Sequence, residues 1–593
     1  MLNYRHLLFI LGILGCHSVV LGQSIDFKLR QEVDTQHQQQ QKQLDTTIYT
    51  QQVQIPDIRL DTPKDSSYTF PQQESPCFPI HHITLTDYLS TDFPHTSSID
   101  THLQTSRPSQ FQWVLKTVYT SQDFVLPHCI GAEGINVLLR QIQNRLIEAG
   151  YVTTRVVAEP QDLRSGQLIL TVIPGKVGDI QLQDHSAIPF ATRGTLWFAM
   201  PLSKGDILNI RDIEQGLENL KRVPSSDANI ELVPSEQIGE TDIMVTYQQR
   251  FPFHLTLGLD DAGFKATGRL QGSVTFSWDN VLTLNDMFYI SGTRSFRRGS
   301  DDVKGDYGSK NISLYYSIPW KNYLLTLSGS RYYYHQTVAG AFESYTYSGK
   351  SQQIKATLSR LLMRGSHYKT YMNVGLWAKQ SSNYINNVEV AVQRRRTAGW
   401  EVGFHHTQYI GDITLQLWGN YKRGTGARHA LKAPEELFGE GTSRMKIITG
   451  GVDITYPFKV GQQLLHFNTA WNGQYRRTPL VQQDKFSIGG RYTVRGFDGE
   501  LTLSGESGWL WRNELAWNVN GKGHELYVGI DKGVVHSHQE ELQVGNRLVG
   551  GVIGVRGNLW GLQYDYFVGT PLKKPKGFKT SHITTGFNMS YRF

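Results

Sequence analysis

The C-terminal part of the chain, residues 251–593, consists of segments of ten to twelve residues in which apolar and polar residues alternate. Turns rich in Gly, Asn, Asp and Lys separate the segments, and sixteen segments can be counted without an interrupting helix. Strands of soluble sandwiches are usually about 5–6 residues long, whereas membrane-crossing strands have about 9–11 residues with an apolar outer and a polar inner face. The pattern therefore predicts a sixteen-stranded antiparallel transmembrane β-barrel over residues 250–593, with a soluble β-rich domain as the alternative.

The final segment, HITTGFNMSYRF, illustrates this alternation. Four even positions are polar, namely Thr584, Asn588, Ser590 and Arg592. The apolar residues lie at odd positions: Ile583, Phe587, Met589, Tyr591 and Phe593. The mean hydropathy of −0.37 resembles that of a soluble protein, but 57 glycines, 29 tyrosines, 26 phenylalanines and 12 tryptophans suit a barrel with aromatic girdles. Closing the sheet removes the strand edge that lipid cannot hydrogen-bond.

Residues 1–22 predict a secretory signal. Arg5 belongs to a short positive head, residues 7–15 form the apolar run, and residues 20–22 offer a cleavage site. The run is far shorter than the ~20 apolar residues of a transmembrane anchor. Because ILGC ends at Cys16, a lipoprotein signal is the alternative, and lipidation of this cysteine stays open.

Removal of the signal would leave two cysteines, Cys77 and Cys129. Two cysteines in an exported chain most simply form one disulfide, and two buried free thiols are the alternative. The signal and the expected disulfide together indicate export across a bacterial inner membrane.

Residues 23–45 are polar, glutamine-rich and dominated by good helix formers. Their apolar stripe is thin, consisting of Ile25, Phe27, Leu29, Val33 and Leu44. Such a segment is either a disordered tail or a helix that lies in a polar cavity. Residues 46–75 are rich in Pro, Asp, Thr and Ser, which predicts a linker.

Residues 76–173 and 174–249 each combine helix and strand patterns. In the first block, GINVLLRQIQNRLIEAG has helical spacing of apolar residues and ends in glycine, and YVTTRVVA and QLILTVIPG follow as strands. The second block repeats this scheme with VGDIQLQD as a strand, LNIRDIEQGLENLKRV as a helix, and NIELVP and DIMVTYQ as strands. Two small α+β modules in tandem are predicted.

A barrel of sixteen strands encloses a lumen wide enough for water, so part of the protein should occupy it. Two segments could do so: residues 24–45 and the loop GGRYTVRGFDGE, which lies between the eleventh and twelfth predicted strands. Such a loop would have to find partners on the inner wall of the barrel.

The strand GHELYVGIDKGVV offers one partner for the loop. Its apolar residues Leu526, Val528 and Ile530 would face lipid, so Asp531 would face the lumen between glycines. A loop folded into the pore could bring Arg495 to this carboxylate, and Gly496 would allow a close backbone approach. In a wet lumen such a pair stabilises by ~1 kcal/mol or less, so its value would be positional. Two unrelated charges are the alternative.

At these residues the chain resembles the two-partner secretion transporters, which include the haemolysin secretion/activation proteins and the outer-membrane partner of contact-dependent inhibition toxins. The family's loop motif, Val-Arg-Gly-Tyr/Phe, matches Val494, Arg495, Gly496 and Phe497. Its strand motif, Gly-(Leu/Ile)-Asp-x-Gly, matches Gly529, Ile530, Asp531 and Gly533. CFPI from Cys77, GYVTTRV from Gly150 and PQDL from Pro160 are similar to the family's first periplasmic module.

The resemblance covers nearly all of the mature chain and implies an N-terminal plug helix, two polypeptide-transport-associated (POTRA) modules in the periplasm and a sixteen-stranded outer-membrane barrel. It also implies that Arg495 and Asp531 lock the loop in the pore. The implied partner is a large β-helical exoprotein that arrives unfolded, docks on the POTRA modules and passes through the lumen. Outer-membrane lipid and the barrel-assembly machinery are the other expected partners, and a monomer is expected.

Other functional classes fit less well. A barrel-assembly insertase shares the plan and a similar loop motif, but it usually carries more POTRA modules and no detachable plug. A solute porin would leave residues 76–249 unexplained. The formal charge of +7 and the lack of RNA-binding or zinc-finger motifs give no pointer to nucleic acid.

Catalysis is not expected. The sequence contains neither GxxxxGK[ST] nor HExxH, so no cofactor or metal is predicted. His536, His538 and Glu540 could present a metal site, but they belong to a predicted extracellular loop, for which a solvated polar stretch is the ordinary interpretation.

Overall fold

The computed structural model describes residues 37–38, 40–53, 56–60, 69–71, 73–88, 108–119, 124–188, 193–237, 239–296, 305–340, 342–519, 521, 523–538 and 544–593. The predicted signal at residues 1–22, residues 23–36 of the predicted plug and Glu540 lie outside these described residues. Among the helices that the structure describes, none has the length and apolarity needed to cross a membrane.

The chain first forms a helix, α1, over residues 40–52, with residues 37–38 also helical. The linker predicted from residue 46 therefore begins later, after residue 52. The helix continues because Ile48, Tyr49 and Gln52 contact the barrel wall, which a search for local helix and linker patterns could not reveal.

Module 1 is built on a three-stranded sheet in the order β2-β5-β4, with β2 and β5 parallel and a separate β1–β3 pair. Its elements are β1 (Phe78–Ile80), β2 (His82–Asp87), α2 (Trp113–Val118), β3 (His128–Ile130), α3 (Ala132–Glu148), β4 (Arg155–Val157) and β5 (Gln167–Ile173). The apolar face of α3, including Leu138, Ile142 and Leu146, packs on this sheet in one core. Phe70, from the predicted linker, is part of the same core.

Module 2 repeats the α+β plan with a sheet in the order β6-β8-β7. Its elements are β6 (Lys176–Asp184), α4 (Arg193–Ala199), α5 (Ile210–Lys221), β7 (Ser226–Pro234) and β8 (Glu240–Gln249). The side chain of Asn209 caps α5 by accepting a hydrogen bond from the Arg211 amide at 2.9 Å. Ile58 and Leu60 of the predicted linker pack against the core of this module. The two predicted α+β modules are confirmed.

The remaining strands form the barrel and two of its loops. In chain order they are β9 (Phe253–Asp260), β10 (Leu270–Asp279), β11 (Met287–Phe296), β12 (Tyr307–Trp320), β13 (Tyr323–Ala339), β14 (Ser344–Arg364), β15 (Tyr368–Ile385), β16 (Val388–Glu389), β17 (Arg395–Ile410), β18 (Ile413–Thr425), β19 (Lys446–Val460), β20 (Gln463–Arg476), β21 (Phe486–Ile488), β22 (Leu503–Gly505), β23 (Ser507–Asn518), β24 (Glu525–His536), β25 (Arg547–Leu559), β26 (Leu562–Lys573) and β27 (Thr584–Arg592).

Sixteen of these strands close into an antiparallel barrel, as predicted. β16 is a short hairpin arm on β15, β21 and β22 pair with each other in a loop, and β27 closes the barrel on β9. Along β10 the apolar Val274, Phe276 and Trp278 are exposed while Thr275 and Ser277 are buried, so the alternation has the predicted sense.

Some barrel strands are longer than the predicted ten to twelve residues. β14 spans 21 residues and β15 spans 18. The first half of β14, SYTYSGKSQQ, is polar and still pairs in register with β13. The hydrogen-bonded pairing of β13 with β14 therefore continues beyond the apolar segment on which the predicted strand length was based.

Candidate functional site in the barrel lumen

Helix α1 lies inside the barrel and is held largely by polar contacts. Asp45 accepts hydrogen bonds from Ser330 Oγ at 2.7 Å and Gln353 Nε2 at 2.9 Å, and also from the side chains of Ser313 and Asn311. These donors come from β12, β13 and β14. One carboxylate of the helix therefore ties it to three neighbouring strands.

Further contacts run along the same helix. Gln41 donates to Ser330 Oγ at 2.9 Å, and Gln52 donates to Thr256 Oγ1 at 3.2 Å while accepting from Ser277 Oγ at 2.7 Å. Ile48 packs against buried tyrosines of β11 and β12. The glutamine-rich composition thus suits a wall of hydroxyl and amide side chains, with the helix in a polar cavity.

The second occupant of the lumen is the loop between β20 and β23, residues 477–506, which carries the β21–β22 hairpin. The structure places Arg495 of this loop against Asp531 of β24. Its Nε donates to Asp531 Oδ2 at 2.8 Å, its Nη2 donates to Oδ1 at 2.9 Å, and its backbone amide also donates to Oδ2 at 2.9 Å. This bidentate geometry is the strong form of an arginine–carboxylate pair.

The pair is shielded from water. Arg495 is 5% exposed and Asp531 is 0% exposed. The sequence alone predicts that this pair stabilises the loop by ~1 kcal/mol or less, on the premise that the lumen is wet. That premise is wrong for this contact, because the folded loop itself excludes water from it. Removing one partner of a buried pair typically costs about 3–5 kcal/mol, since the other charge is left uncompensated.

A second carboxylate, Glu514 of β23, also binds the loop arginine. Its Oε2 accepts from Arg495 Nη1 at 2.5 Å, and its Oε1 accepts from Arg556 Nη1 at 2.7 Å. Arg556 also donates to Glu525 Oε2 at 2.8 Å. The sequence interpretation did not include Glu514, although the alternation of WLWRNELAWNV places it on the same face as buried Leu510 and Ala516.

Glycines make room for the loop on the wall. Gly496 has φ +98°, and an added Cβ would lie 2.4 Å from the backbone oxygen of Thr570 on β26. A Cβ on Gly550 of β25 would lie 1.8 Å from the backbone oxygen of Arg495. A side chain at Gly529 would meet the Arg495 guanidinium at 2.7 Å. The loop backbone therefore approaches β25 and β26 more closely than a Cβ permits, and the Arg495 side chain approaches β24 equally closely.

Apolar contacts hold Val494 and Phe497 of the loop motif in place. Val494 and Phe497 are buried in a cluster with Ile488 and Leu548, and Phe497 meets Phe578 edge to face with ring centroids 5.8 Å apart. Gly533 faces Val494, whose Cγ2 would lie 2.9 Å from an added Cβ. Ile530 is exposed on the lipid face.

Exchange of Gly550 for alanine is expected to displace the loop, because the new methyl group would occupy the position of the Arg495 carbonyl. Overpacking of this kind typically costs about 1–3 kcal/mol. Trypsin cleavage of the loop in intact cells should increase. Gly551→Ala is the matched control, since its Cβ would meet only a leucine side chain at 3.2 Å. Equal cleavage of both variants would contradict this account of the glycine.

Module 2 and the barrel hold the chain segment that follows α1. Glu214 of α5 accepts from the Leu60 amide at 2.7 Å, and Glu218 accepts from the Ile58 amide at 3.0 Å. Arg364, at the end of β14, donates to both carboxylates at 2.9 Å and to the Ile58 carbonyl at 2.5 Å. Residues 57–60 are therefore clamped between α5 and the barrel mouth.

The structure joins Cys77 and Cys129 in a disulfide that links the β1–β3 pair to the chain before it. Of His536, His538 and Glu540, which the sequence could present to a metal but for which a solvated polar stretch is the ordinary interpretation, His536 ends β24 and Glu540 lies outside the described residues. Within the described ranges there is no cluster of three or more His, Cys, Asp or Glu side chains that could hold a metal ion.

Comparison with known proteins gives concordant results along the chain. Residues 239–557 match the family model described as haemolysin secretion/activation protein ShlB/FhaC/HecB. Residues 113–175 match a POTRA domain of ShlB type, and residues 176–234 match a POTRA domain.

Individual proteins show the same likeness. The chain is 32% identical over 565 residues to the outer membrane transporter CdiB-2 of Burkholderia pseudomallei (strain 1026b), covering 94% of each sequence. It is 25% identical over 398 residues to the hemolysin transporter protein ShlB of Serratia marcescens, covering 66% of this chain and 68% of the relative. The solved structure of CdiB from Acinetobacter baumannii superposes with a TM-score of 0.79 at 28% identity, covering 95% of this chain and 99% of that one.

Proposed function

The chain belongs to the haemolysin secretion/activation protein family ShlB/FhaC/HecB, and from that premise we propose that it exports one large partner protein through its own barrel. It is an outer-membrane transporter of the two-partner secretion type, with its two POTRA modules in the periplasm. The observation that supports the proposed route is a barrel lumen occupied by two segments of the same chain, each held by contacts that can be exchanged rather than by covalent bonds.

The proposed passenger is a β-helical exoprotein of haemolysin, adhesin or inhibition-toxin type that arrives unfolded in the periplasm. The sheets of the two modules leave β2, β4, β6 and β7 as edge strands. An extended segment of the passenger could add to such an edge through main-chain hydrogen bonds. Binding of this kind would favour the conformation in which α1 has left the lumen, if the passenger binds that conformation more tightly.

The proposed role of the lumen residues is binding and release, with no catalysis and no cofactor. Movement of the passenger is assigned to its folding outside the cell. A single chain closes the barrel, which supports a monomer. The proposed route into the membrane uses the barrel-assembly machinery of the cell.

Secretion by a reconstituted pair tests the proposal. A Gram-negative host that lacks such a system would express the chain together with the long exported protein encoded beside it. The passenger is expected in the medium only when both are present, and a transporter without residues 76–249 should leave it inside the cell. If passenger export does not depend on the chain while levels of other outer-membrane proteins do, the insertase alternative would replace this proposal.

A further inference from the structure

Helix α4 of module 2 is fastened to the periplasmic turns of the barrel. The Thr195 hydroxyl donates to the Thr283 carbonyl at 2.6 Å, and the Thr195 carbonyl accepts from Asn285 Nδ2 at 3.0 Å. The Phe198 carbonyl accepts from the Lys321 amide at 2.6 Å. Both turns connect strands of the barrel, β10 to β11 and β12 to β13. The orientation of α4 relative to the barrel wall is therefore fixed on two sides.

This attachment divides the helix into two faces. Thr195 and Ala199 are buried towards the turns and the core of module 2. Trp197 points the other way and is 56% exposed, although it is one of the largest apolar side chains in the module. Its ring lies 6.3 Å from that of Trp320, and Trp320 stacks on Tyr323 at 5.6 Å.

Trp320 and Tyr323 are barrel residues at the periplasmic end of the β12–β13 hairpin. The exposed residues Leu314 and Ile312 of β12 lie on the same outward face, so Trp320 ends a lipid-facing row. Tryptophan and tyrosine are enriched where the acyl chains of a bilayer meet its headgroups, because one part of each ring system is apolar and the other donates a hydrogen bond. Trp197 lies beside these two aromatic residues and extends their row, although it belongs to module 2 and not to the barrel.

Neighbouring residues extend the same patch. Leu282, in the turn beside Thr283, is 57% exposed. The guanidinium of Arg360 lies over the Tyr323 ring at 5.3 Å, which suits a cation that reaches towards lipid phosphates. The patch is thus apolar with a basic edge, and it is continuous with the outer surface of the barrel.

We infer that module 2 is itself a membrane-contacting domain, and that Trp197 inserts into the periplasmic leaflet of the outer membrane as a phospholipid anchor. The anchor would hold the module against the bilayer, while its sheet edges remain turned to the periplasm. This inference concerns lipid contact and is independent of whether any passenger is exported.

Site-specific quenching tests the anchor. Trp197→Cys, with Cys77 and Cys129 oxidised, would be labelled with an environment-sensitive fluorophore and reconstituted in phospholipid vesicles. The matched control is Val233→Cys, because Val233 is an exposed residue that pairs with Asp242 at the end of β8 remote from the barrel. Brominated acyl chains are expected to quench the label at 197 and iodide to quench the label at 233.

Quenching at position 197 by iodide alone would overturn the inference, as would a label there that is buried only after passenger is added. If Trp197→Cys does not fold, Phe198→Cys on the same helix provides the same comparison, because the Phe198 ring lies 5.1 Å from that of Trp197. Secretion measured in parallel keeps the two proposals separate, since lipid contact is read without a passenger.

Discussion

Asp531→Ala is expected to abolish or strongly reduce secretion while the barrel still inserts into the outer membrane. The substitution removes the acceptor for three hydrogen bonds from Arg495, two from the guanidinium and one from the backbone amide. Removing one partner of a buried ion pair typically costs about 3–5 kcal/mol. Arg495 keeps Glu514 as its second carboxylate, so a cost at the lower end of this range is expected, and the loop can escape it by leaving the wall. Arg495→Ala should act in the same direction, because buried Asp531 then loses both guanidinium hydrogen bonds and retains the longer contact with Arg512 Nε at 3.8 Å.

The measurement is the amount of passenger in the medium relative to the amount in the cells. Heat-modifiable mobility of the barrel in outer-membrane fractions would show that each variant is folded and inserted. Lys532→Ala is the matched control: it is the next residue on the strand, and its ammonium lies over the Trp509 ring at 5.4 Å, away from the loop arginine. Normal secretion by both Asp531→Ala and Arg495→Ala would show that this ion pair is not needed for secretion.

Asp531→Asn separates charge from shape. The amide oxygen can still accept from the Arg495 backbone, but the ion pair is lost and the guanidinium keeps only Glu514 as a carboxylate partner. Secretion between the wild-type and alanine levels is expected. A level equal to that of alanine would show that the charge carries the whole effect.

Strand periodicity made this part of the site predictable. Because side chains alternate across a strand, exposed Leu526, Val528 and Ile530 require Asp531 to face inward, and the structure has that arrangement. The same alternation places Gly529 and Gly533 on the inner face of the strand beside Asp531. Glu514 was equally accessible to this reasoning, since it shares a face with Leu510 and Ala516, but a single alternating strand does not show which inward carboxylate the loop will reach.

The segment before module 1 could not be predicted to the same degree. The end of α1 depends on contacts with residues more than a hundred positions away in the sequence. The same is true of the clamp that Arg364 forms with Glu214 and Glu218. Pro, Asp and Thr in this stretch correctly indicate irregular chain, but they do not reveal that Ile58 and Leu60 are held on α5. Local patterns carry no information on such docking, because the partner surface exists only after the barrel and module 2 have formed.

Removal of α1 is expected to raise the conductance of the purified barrel in planar bilayers. A lumen of sixteen strands is wide enough for water, and α1 fills part of it with contacts to β11 through β14. The deletion should extend to residue 52 and not stop at residue 45, since Ile48 and Gln52 still contact the wall. An unchanged leak would argue against α1 as a plug.

A point variant sharpens this test, because deletion of a segment can disturb the barrel in other ways. Asp45→Ala keeps the helix but removes the acceptor for hydrogen bonds from Ser330 and Gln353, so openings should become more frequent without reaching the level of the deletion. Thr46→Ala is the matched control, since its hydroxyl donates only to the Lys42 carbonyl of the same helix. Equal opening frequencies for the two variants would mean that the other contacts of the helix, such as those of Gln41, Ile48 and Gln52, retain it without the carboxylate.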